Sequence, residues 1–259
     1  MQISNEFLTV NSVKVGSIII PFSALNAHLG NFVRSVLIEH DDPYSGGILG
    51  RSGSSTLIQV FGKRYICLTK HELKNVDLSN VRVVSNNETA LENITFNNSV
   101  FPVGAWSEEE EFKDIILLET EHQTPEKLRD YNYFMPIKPF DRKQIFASLI
   151  VACPIYDDSF EVDYENSETR GFHETTVVRD CIWDAQYEGH AKFVEQFTFD
   201  RKSIYPENGM SGGAVFSIVD SNGDLEVFLH GIITRAGGIG RLTVVNCDFL
   251  LNVKHSRIS

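Results

Sequence analysis

The second half of the chain is divided into short apolar runs separated by polar turns, and this spacing restricts its fold more than any other feature. Each run has the length of one strand, and the segments between them contain Gly, Asn, Asp and Pro. Many short strands with few long helical stretches are typical of all-β barrels. The predicted strands cover residues 145–152, 175–183, 191–199, 214–219, 226–234 and 241–246.

The first half of the chain is patterned less evenly. Apolar runs at residues 7–10 and 13–20 predict strands, and from Phe22 the apolar residues follow helical spacing, which predicts a helix or a helix-to-strand junction. Residues 41–55 are rich in Gly and Ser and predict a loop. A hairpin is predicted over residues 56–69.

Two polar segments interrupt the apolar pattern further along the chain. Residues 119–143 contain three prolines, so we expect a linker between two halves. Residues 157–168 are acidic and aromatic, and they predict an exposed hairpin. The strands on the two sides of the linker are therefore expected to belong to different units.

The composition is that of a globular chain with an acidic surface. Of the 259 residues, 42% are hydrophobic, and the formal net charge is −12. An acidic surface repels phosphates, so we expect neither nucleic acid nor an anionic membrane as a partner. The chain has no apolar stretch long enough to span a membrane and begins without a secretory signal, so we expect a cytoplasmic protein. The four cysteines lack C-x-x-C spacing, so we expect reduced buried thiols, no metal and no other cofactor.

A serine between glycines, within residues 208–216, is the strongest functional signal. Ser211 stands two residues after Gly209 and directly before Gly212 and Gly213, and an apolar run follows. Such a turn can present a nucleophilic hydroxyl while the N–H groups of Gly209 and Ser211 form an oxyanion hole. Glycine and serine are also ordinary turn residues, so a hairpin turn with an incidental serine stays open.

A serine nucleophile needs an imidazole base and a carboxylate that orients the imidazole. His71 directly follows a predicted buried strand, where its ring would be held at a rim. Asp114 opens the apolar run at 115–118, so its carboxylate should lie at the edge of the core and need a partner. An aspartate that bonds its own backbone is the alternative. His230 lies in a buried-looking strand and is expected to be a core histidine.

Together these segments resemble the three motifs of the chymotrypsin-fold, or trypsin-like, serine peptidases of bacterial intracellular type. The segments are Leu-Thr-Lys-His71, Asp114-Ile-Ile-Leu-Leu and Gly-Met-Ser211-Gly-Gly, and their chain order His, Asp, Ser separates this fold from subtilisins and α/β-hydrolases. The resemblance implies two six-stranded antiparallel β-barrels with an N-terminal extension that contains a helix. Residues 1–125 would form the extension and the first barrel, and residues 126–259 the linker, the second barrel and the tail.

The resemblance also implies roles for a segment that follows the serine. Thr234 ends a strand similar to the one that lines the primary specificity pocket, and its hydroxyl would bond the carboxylate of Asp114. Substrate would contact the segment of Thr234, Arg235, Ala236 and Gly237. The floor of the pocket would lie near residues 203–205, where no Asp is present, so a preference for Lys or Arg is not expected.

Two positions depart from the family pattern. Family members activated by cleavage have an aspartate directly before the serine, where this chain has Met210. The oxyanion hole would therefore form by another route, either constitutively or on binding a partner. Glu72 stands where secreted members often have a cysteine after the histidine, which agrees with a protein without disulfides.

The expected function is a serine endopeptidase that cleaves protein or peptide substrates through an acyl-enzyme. Intracellular bacterial proteins of this type are thought to act as latent effectors beside a sensor or regulatory protein, sometimes in antiviral defence, and this role is implied by analogy alone. A catalytically silent binding or scaffold module with the same fold is the alternative. A phosphate-binding role is disfavoured, because the glycine turn lacks the following Lys-Ser/Thr of a phosphate-binding loop.

Overall fold

The structure, a computed structural model, consists mostly of β-strands with few helices. The all-β fold that the short apolar runs predict is therefore confirmed. The structure describes residues 12–40, 48–73, 76–83, 94, 96–103, 110–120, 135–155, 160–163, 168–172, 176–187, 193–200, 208–237, 240–252 and 254–257.

Strands, short α-helices and single 3-10 turns follow one another along the described chain. The strands are β1 (Ser12–Val15), β2 (Ile18–Pro21), β3 (Val33–His40), β4 (Ile48–Val60), β5 (Lys63–Thr69), β6 (Val81–Val83), β7 (Phe96–Val103), β8 (Ile115–Thr120), β9 (Met135–Pro136), β10 (Ile145–Ala152), β11 (Phe160–Asp163), β12 (Glu168–Phe172), β13 (Val177–Trp183), β14 (Val194–Thr198), β15 (Ala214–Ser221), β16 (Asp224–Gly237), β17 (Arg241–Asn246) and β18 (Lys254–Arg257). The α-helices are α1 (Leu25–Gly30), α2 (Glu110–Lys113) and α3 (Cys247–Asn252). The 3-10 turns are Phe22–Ala24, His71–Leu73, Leu78–Asn80 and Arg142–Gln144.

Six strands of the second half close into an antiparallel barrel. Their order is β15-β10-β13-β14-β17-β16, and β16 pairs back onto β15. One cluster of buried residues draws on all six strands, so it fills the barrel interior. Because strand residues alternate between faces, Val215 points into this cluster, whereas Ala214 and Phe216 point into another.

A curled sheet, which forms a half-barrel, makes up the other half of the fold. Its order is β18-β7-β8-β5-β4-β3-β6, with β9 added in parallel to β4. The resemblance predicts a closed barrel in this half of the fold. The described strands instead form a curled sheet that corresponds to about half of a barrel. Its own core includes Val36, Leu57, Ile66 and Leu118.

A third and larger core lies between the two sheets. It joins Phe32 and Ile58 of the first half to Phe216 and Leu229 of the second. The outermost described strands cross over, since β1 pairs in parallel with β16 of the barrel and β18 pairs with β7 of the half-barrel. The seam between the sheets is therefore a packed interface, as in a protein interior.

Two local predictions for the first half are confirmed. The hairpin is the β4–β5 pair, whose turn contains Phe61 and Gly62, both with positive φ. The helical spacing from Phe22 marks a helix-to-strand junction, because α1 ends at Gly30 and β3 begins at Val33.

The loop predicted at residues 41–55 is wrong from Ile48 onward, where β4 begins and pairs with β3. Gly and Ser favour turns locally, but buried serines of this stretch lie in a strand that contacts the barrel, and tertiary packing overrides the local preference. The hairpin predicted at 157–168 is present as the β11–β12 pair, but its second strand begins only at Glu168 and extends to Phe172. The strand predicted at 7–10 and most of the predicted linker lie outside the described residues.

His230 is a buried core histidine, as its strand predicts. Its side chain has no exposed surface, Nδ1 lies 2.7 Å from Oγ of Ser217, and Nε2 lies 2.6 Å from Oε2 of Glu195. Glu195 also accepts hydrogen bonds from Arg142 and Asn246. Burial alone would raise the pKa of Glu195, but the hydrogen bond and charge of His230, together with Arg142, lower it below its usual value. Mutual pairing is what allows these polar groups to lie inside the barrel wall.

Candidate active site

His71 and Asp114 stand at the same end of two paired strands. β5 ends at Thr69, β8 begins at Ile115, and these two residues are partners in the β5–β8 register. The N–H of Lys70 donates to the carbonyl of Asp114 at 2.6 Å, which continues the pairing by one residue. Sheet pairing therefore brings the imidazole and the carboxylate to one edge.

Both carboxylate oxygens of Asp114 contact His71. Oδ1 accepts the main-chain N–H of His71 at 2.8 Å, and Oδ2 lies 2.6 Å from Nδ1. A carboxylate beside Nδ1 favours a hydrogen on that nitrogen, which leaves Nε2 as the nitrogen that can accept a proton. The carboxylate thus orients the ring and selects its tautomer.

Ser211 reaches the same imidazole from the turn that precedes β15 of the barrel. Its Oγ lies 3.2 Å from Nε2 of His71, and it donates to the carbonyl of Thr234 at 3.3 Å. Ser211 is 7% exposed, and the side chain of His71 is 46% exposed. The structure therefore brings the side chains of His71, Asp114 and Ser211 together at the seam between the two sheets.

Two positions of the serine turn require glycine. Gly209 has φ +82° and Gly212 has φ +81°, a region that other residues rarely adopt. A Cβ on Gly212 would lie 2.0 Å from the carbonyl oxygen of Ser54. The turn therefore packs directly on the backbone of β4, and this close approach joins the serine to the half-barrel.

Hydrogen bonds to the preceding carbonyls fix the peptide planes that contain the N–H groups of Gly209 and Ser211. The carbonyl that precedes Gly209 accepts the N–H of Ile155, and the carbonyl that precedes Ser211 accepts the N–H of Gly213, both at 3.0 Å. In a trans peptide the N–H points away from the C=O. Within the described chain neither N–H donates to a protein group.

Ser54 holds the serine turn from β4, and sequence analysis missed it. Its hydroxyl donates to the carbonyl of Gly209 at 2.6 Å and accepts the N–H of Cys153 at 2.8 Å. Its N–H donates to the carbonyl of Ser211 at 3.0 Å. On the same strand, the hydroxyl of Thr56 donates to the carbonyl of Gly212 at 2.8 Å. The signal in the sequence was a run of small residues, Ser-Gly-Ser-Ser-Thr, which in a strand can mark the close approach of another backbone.

Met210 stands directly before Ser211, where cleavage-activated peptidases of the chymotrypsin fold have an aspartate. It is 5% exposed and packs in the barrel interior with Ile150, Phe197 and Ile233. Burying such a side chain contributes about 1.5–3 kcal/mol. Apolar packing of Met210 therefore anchors the turn in this protein.

The prediction that the hydroxyl of Thr234 bonds Asp114 is wrong. Thr234 is 1% exposed, and its hydroxyl donates to the carbonyl of Thr243 on β17 at 3.2 Å. A hydroxyl has one hydrogen to donate, and the neighbouring strand accepts it. Thr234 instead contacts the serine through its own carbonyl.

The other residues expected to bind substrate continue β16 beyond Thr234. Arg235 is exposed, and Ala236 and Gly237 are half-buried. These three residues pair with β17 on one side, whereas pairing with β15 ends at Ile232. The pocket floor predicted near residues 203–205 lies outside the described residues.

A second carboxylate also acts on the imidazole of His71. Oε1 of Glu72 lies 3.4 Å from Nε2. The hydrogen bond that Asp114 accepts from the ring is the largest cause that raises the pKa of His71 to about 9, Glu72 is the next cause, and partial burial acts against both. At neutral pH the imidazole in this arrangement is mostly protonated.

Metal binding, membrane insertion and cysteine chemistry concern other parts of the chain. The described residues contain no group of three or more His, Cys, Asp or Glu side chains that could hold a metal ion. No helix in the described part of the chain is both long and apolar enough to cross a membrane. All four cysteines are free and buried, and burial raises the pKa of Cys67, Cys181 and Cys247.

Comparison with protein-family models gives no match to this chain, and comparison with curated proteins gives none either. The likeness to the chymotrypsin fold accordingly rests on the structure and the residues themselves. A closed six-stranded antiparallel barrel and a curled half-barrel are consistent with a chymotrypsin-like double-barrel fold.

Proposed function

We propose that this protein is a chymotrypsin-like serine endopeptidase in which Ser211 cleaves peptide bonds with the help of His71 and Asp114. The observation that carries the proposal is the contact series across the seam, 2.6 Å from Asp114 to His71 and 3.2 Å from His71 to Ser211. A nucleophile, a base and an orienting carboxylate within hydrogen-bond reach are what acyl transfer by serine requires.

In the proposed reaction, Oγ of Ser211 attacks the peptide carbonyl while its proton moves to Nε2 of His71. The N–H groups of Gly209 and Ser211 stabilise the resulting oxyanion. Collapse of the tetrahedral intermediate breaks the C–N bond, and His71 returns the proton to the leaving amine. A water molecule, deprotonated by His71, then hydrolyses the acyl-enzyme and restores the serine.

The proposed substrate is an extended protein or peptide segment lying beside the end of β16. Among the described strands, Ala236 and Gly237 pair with β17, and the pairing of β16 with β15 ends at Ile232. An extended segment can add to such an open edge through main-chain hydrogen bonds, which gives affinity with little dependence on sequence.

We further propose a cytoplasmic, partner-controlled role, with a regulatory or sensor protein that switches on a latent peptidase. The resemblance to intracellular bacterial effectors, including those of antiviral defence, is the reason for this part of the proposal. A largely protonated His71 at neutral pH, with its pKa raised to about 9, is in keeping with a latent form.

Labelling with a fluorophosphonate tests the proposed function. These reagents modify a serine that a neighbouring base activates, so we expect the label on Ser211, located by mass spectrometry of the digested protein. Ser211→Ala should remove the label. Absence of label at every pH from about 7 to about 10, a range that spans the titration of His71, would contradict the proposal and favour a silent binding module.

Ser54→Ala is expected to lower turnover by about tenfold to a hundredfold, because a small displacement of the serine turn misaligns the nucleophile and the oxyanion hole. The substitution removes the donor to the carbonyl of Gly209 and the acceptor for the N–H of Cys153. The effect should appear in kcat more than in KM, as measured by steady-state peptide hydrolysis.

Ser55→Ala is the matched control for Ser54→Ala. Ser55 lies on the same strand and is equally buried, but its hydroxyl donates to the carbonyl of Arg34, away from the serine turn. We expect both variants to lose about 1–3 kcal/mol of stability, and only Ser54→Ala to lose turnover. Equal losses of turnover in the two variants would indicate a purely structural role for Ser54.

A further inference from the structure

Glu72 directly follows His71 and turns its carboxylate back toward the imidazole. Its Oε1 is 3.4 Å from Nε2, the same nitrogen that lies 3.2 Å from Oγ of Ser211. The side chain of Glu72 is 17% exposed. Its main-chain carbonyl accepts the hydroxyl of Ser52, and a Cβ on Gly53 would come within 3.1 Å of the Glu72 side chain. The carboxylate is therefore packed against β4.

The protonation state of Nε2 of His71 decides which neighbour it serves. With a hydrogen on Nε2, the charged imidazole forms an ion pair with Glu72; without one, Nε2 presents a lone pair that can accept the proton of Ser211. The hydroxyl of Ser211 has two acceptors within reach, Nε2 of His71 at 3.2 Å and the carbonyl of Thr234 at 3.3 Å. When Nε2 is protonated, the hydroxyl can donate only to Thr234, and His71 cannot deprotonate the serine.

We propose that Glu72 restrains the active site by keeping His71 protonated, and that activity at neutral pH requires this carboxylate to be neutralised or displaced from Nε2. The inference rests on the proposed function and adds a means of regulating its site. Among the described residues, the charged groups that act on the imidazole are Asp114 of the β8 edge and Glu72. The turn before β15 contributes the neutral hydroxyl of Ser211.

The two carboxylates also affect the pKa of His71. Its pKa is raised to about 9, with the hydrogen bond of Asp114 as the largest cause and that of Glu72 as the next. A base with this pKa is neutral in roughly 1% of molecules at pH 7. Asp114 is needed to orient the ring, whereas the contribution of Glu72 can be removed without loss of that orientation.

Glu72→Gln and Glu72→Ala test the proposal in two measurements. By NMR of the imidazole, the titration midpoint of His71 should fall by about one pH unit or more, as expected for removal of an opposite charge at this range. Fluorophosphonate labelling of Ser211 at pH 7 should become about tenfold faster than in the wild type. The difference should disappear above about pH 10, where His71 is neutral in every form.

Glu119→Gln is the matched control. The side chain of Glu119 is 20% exposed, close to the 17% of Glu72, and it forms an ion pair with Lys63 near the end of β8 that is distant from Asp114. It should change neither measurement. Thermal unfolding establishes that each variant is folded. A titration midpoint that stays unchanged in both folded Glu72 variants, or labelling that slows in them, would overturn the restraint. A midpoint that falls while no form is labelled at any pH supports the Glu72–His71 coupling and overturns the peptidase assignment.

Discussion

Replacement of Ser211 by alanine is expected to lower peptide-bond hydrolysis by about 10⁴-fold or more, because it removes the atom that attacks the substrate carbonyl in the proposed reaction. The substitution deletes one oxygen and leaves the glycine turn and its bonds to β4 in position. The lost hydrogen bond to the carbonyl of Thr234 should cost only about 1 kcal/mol of stability. The measurements are kcat/KM on a fluorogenic peptide library and thermal unfolding of the same preparation.

Ser221→Ala provides the control for Ser211→Ala. Ser221 is exposed at the far end of β15, where it pairs with Asp224 across the turn to β16. Its replacement should leave hydrolysis unchanged. If Ser211→Ala and the wild type hydrolyse peptides at equal rates, Ser211 is not the nucleophile and the proposed function is wrong.

Asp114→Asn is expected to lower kcat by about 10⁴-fold while the protein stays folded. The amide oxygen can still accept the main-chain N–H of His71, but the amide NH₂ would face Nδ1, which then must accept. The hydrogen of the neutral imidazole moves to Nε2, and the base can no longer accept a proton from Ser211. Steady-state kinetics across a pH series measures both kcat and the pH at which kcat falls on the acid side.

The pH dependence separates this effect from general destabilisation. Asp114 is the largest cause of the raised pKa of His71, so its neutralisation should move the acid limb to lower pH while the maximal rate falls. Asp77→Asn is the control, because Asp77 caps the Leu78–Asn80 turn by accepting the N–H of Ser79 at 2.9 Å. A loss of less than about tenfold in Asp114→Asn would contradict its orienting role.

Local pattern was sufficient for the elements whose residues contact their immediate strand neighbours. Strands β10 and β17 have the bounds that their apolar runs predicted, Ile145–Ala152 and Arg241–Asn246. His230 could be assigned to the core because apolar residues surround it in its own strand, and the structure leaves it no exposed surface. Residues 48–55 were misassigned because small polar residues favour turns when no tertiary contact is considered.

The sequence by itself determined the all-β class, because strand periodicity is a property of neighbouring residues. It also predicted His71, Asp114 and Ser211 as a site, from their positions beside apolar runs and glycines and from the resemblance of their three segments to peptidase motifs. Only the tertiary structure decided that Ser54 holds the serine turn, that Glu72 shares Nε2, and that β1 and β18 cross between the two sheets. Ser54 and Gly209 are 155 residues apart in the chain, and their bond exists because two sheets pack against each other. Hydrogen bonds across such a seam depend on the relative position of the sheets, which no local sequence pattern encodes.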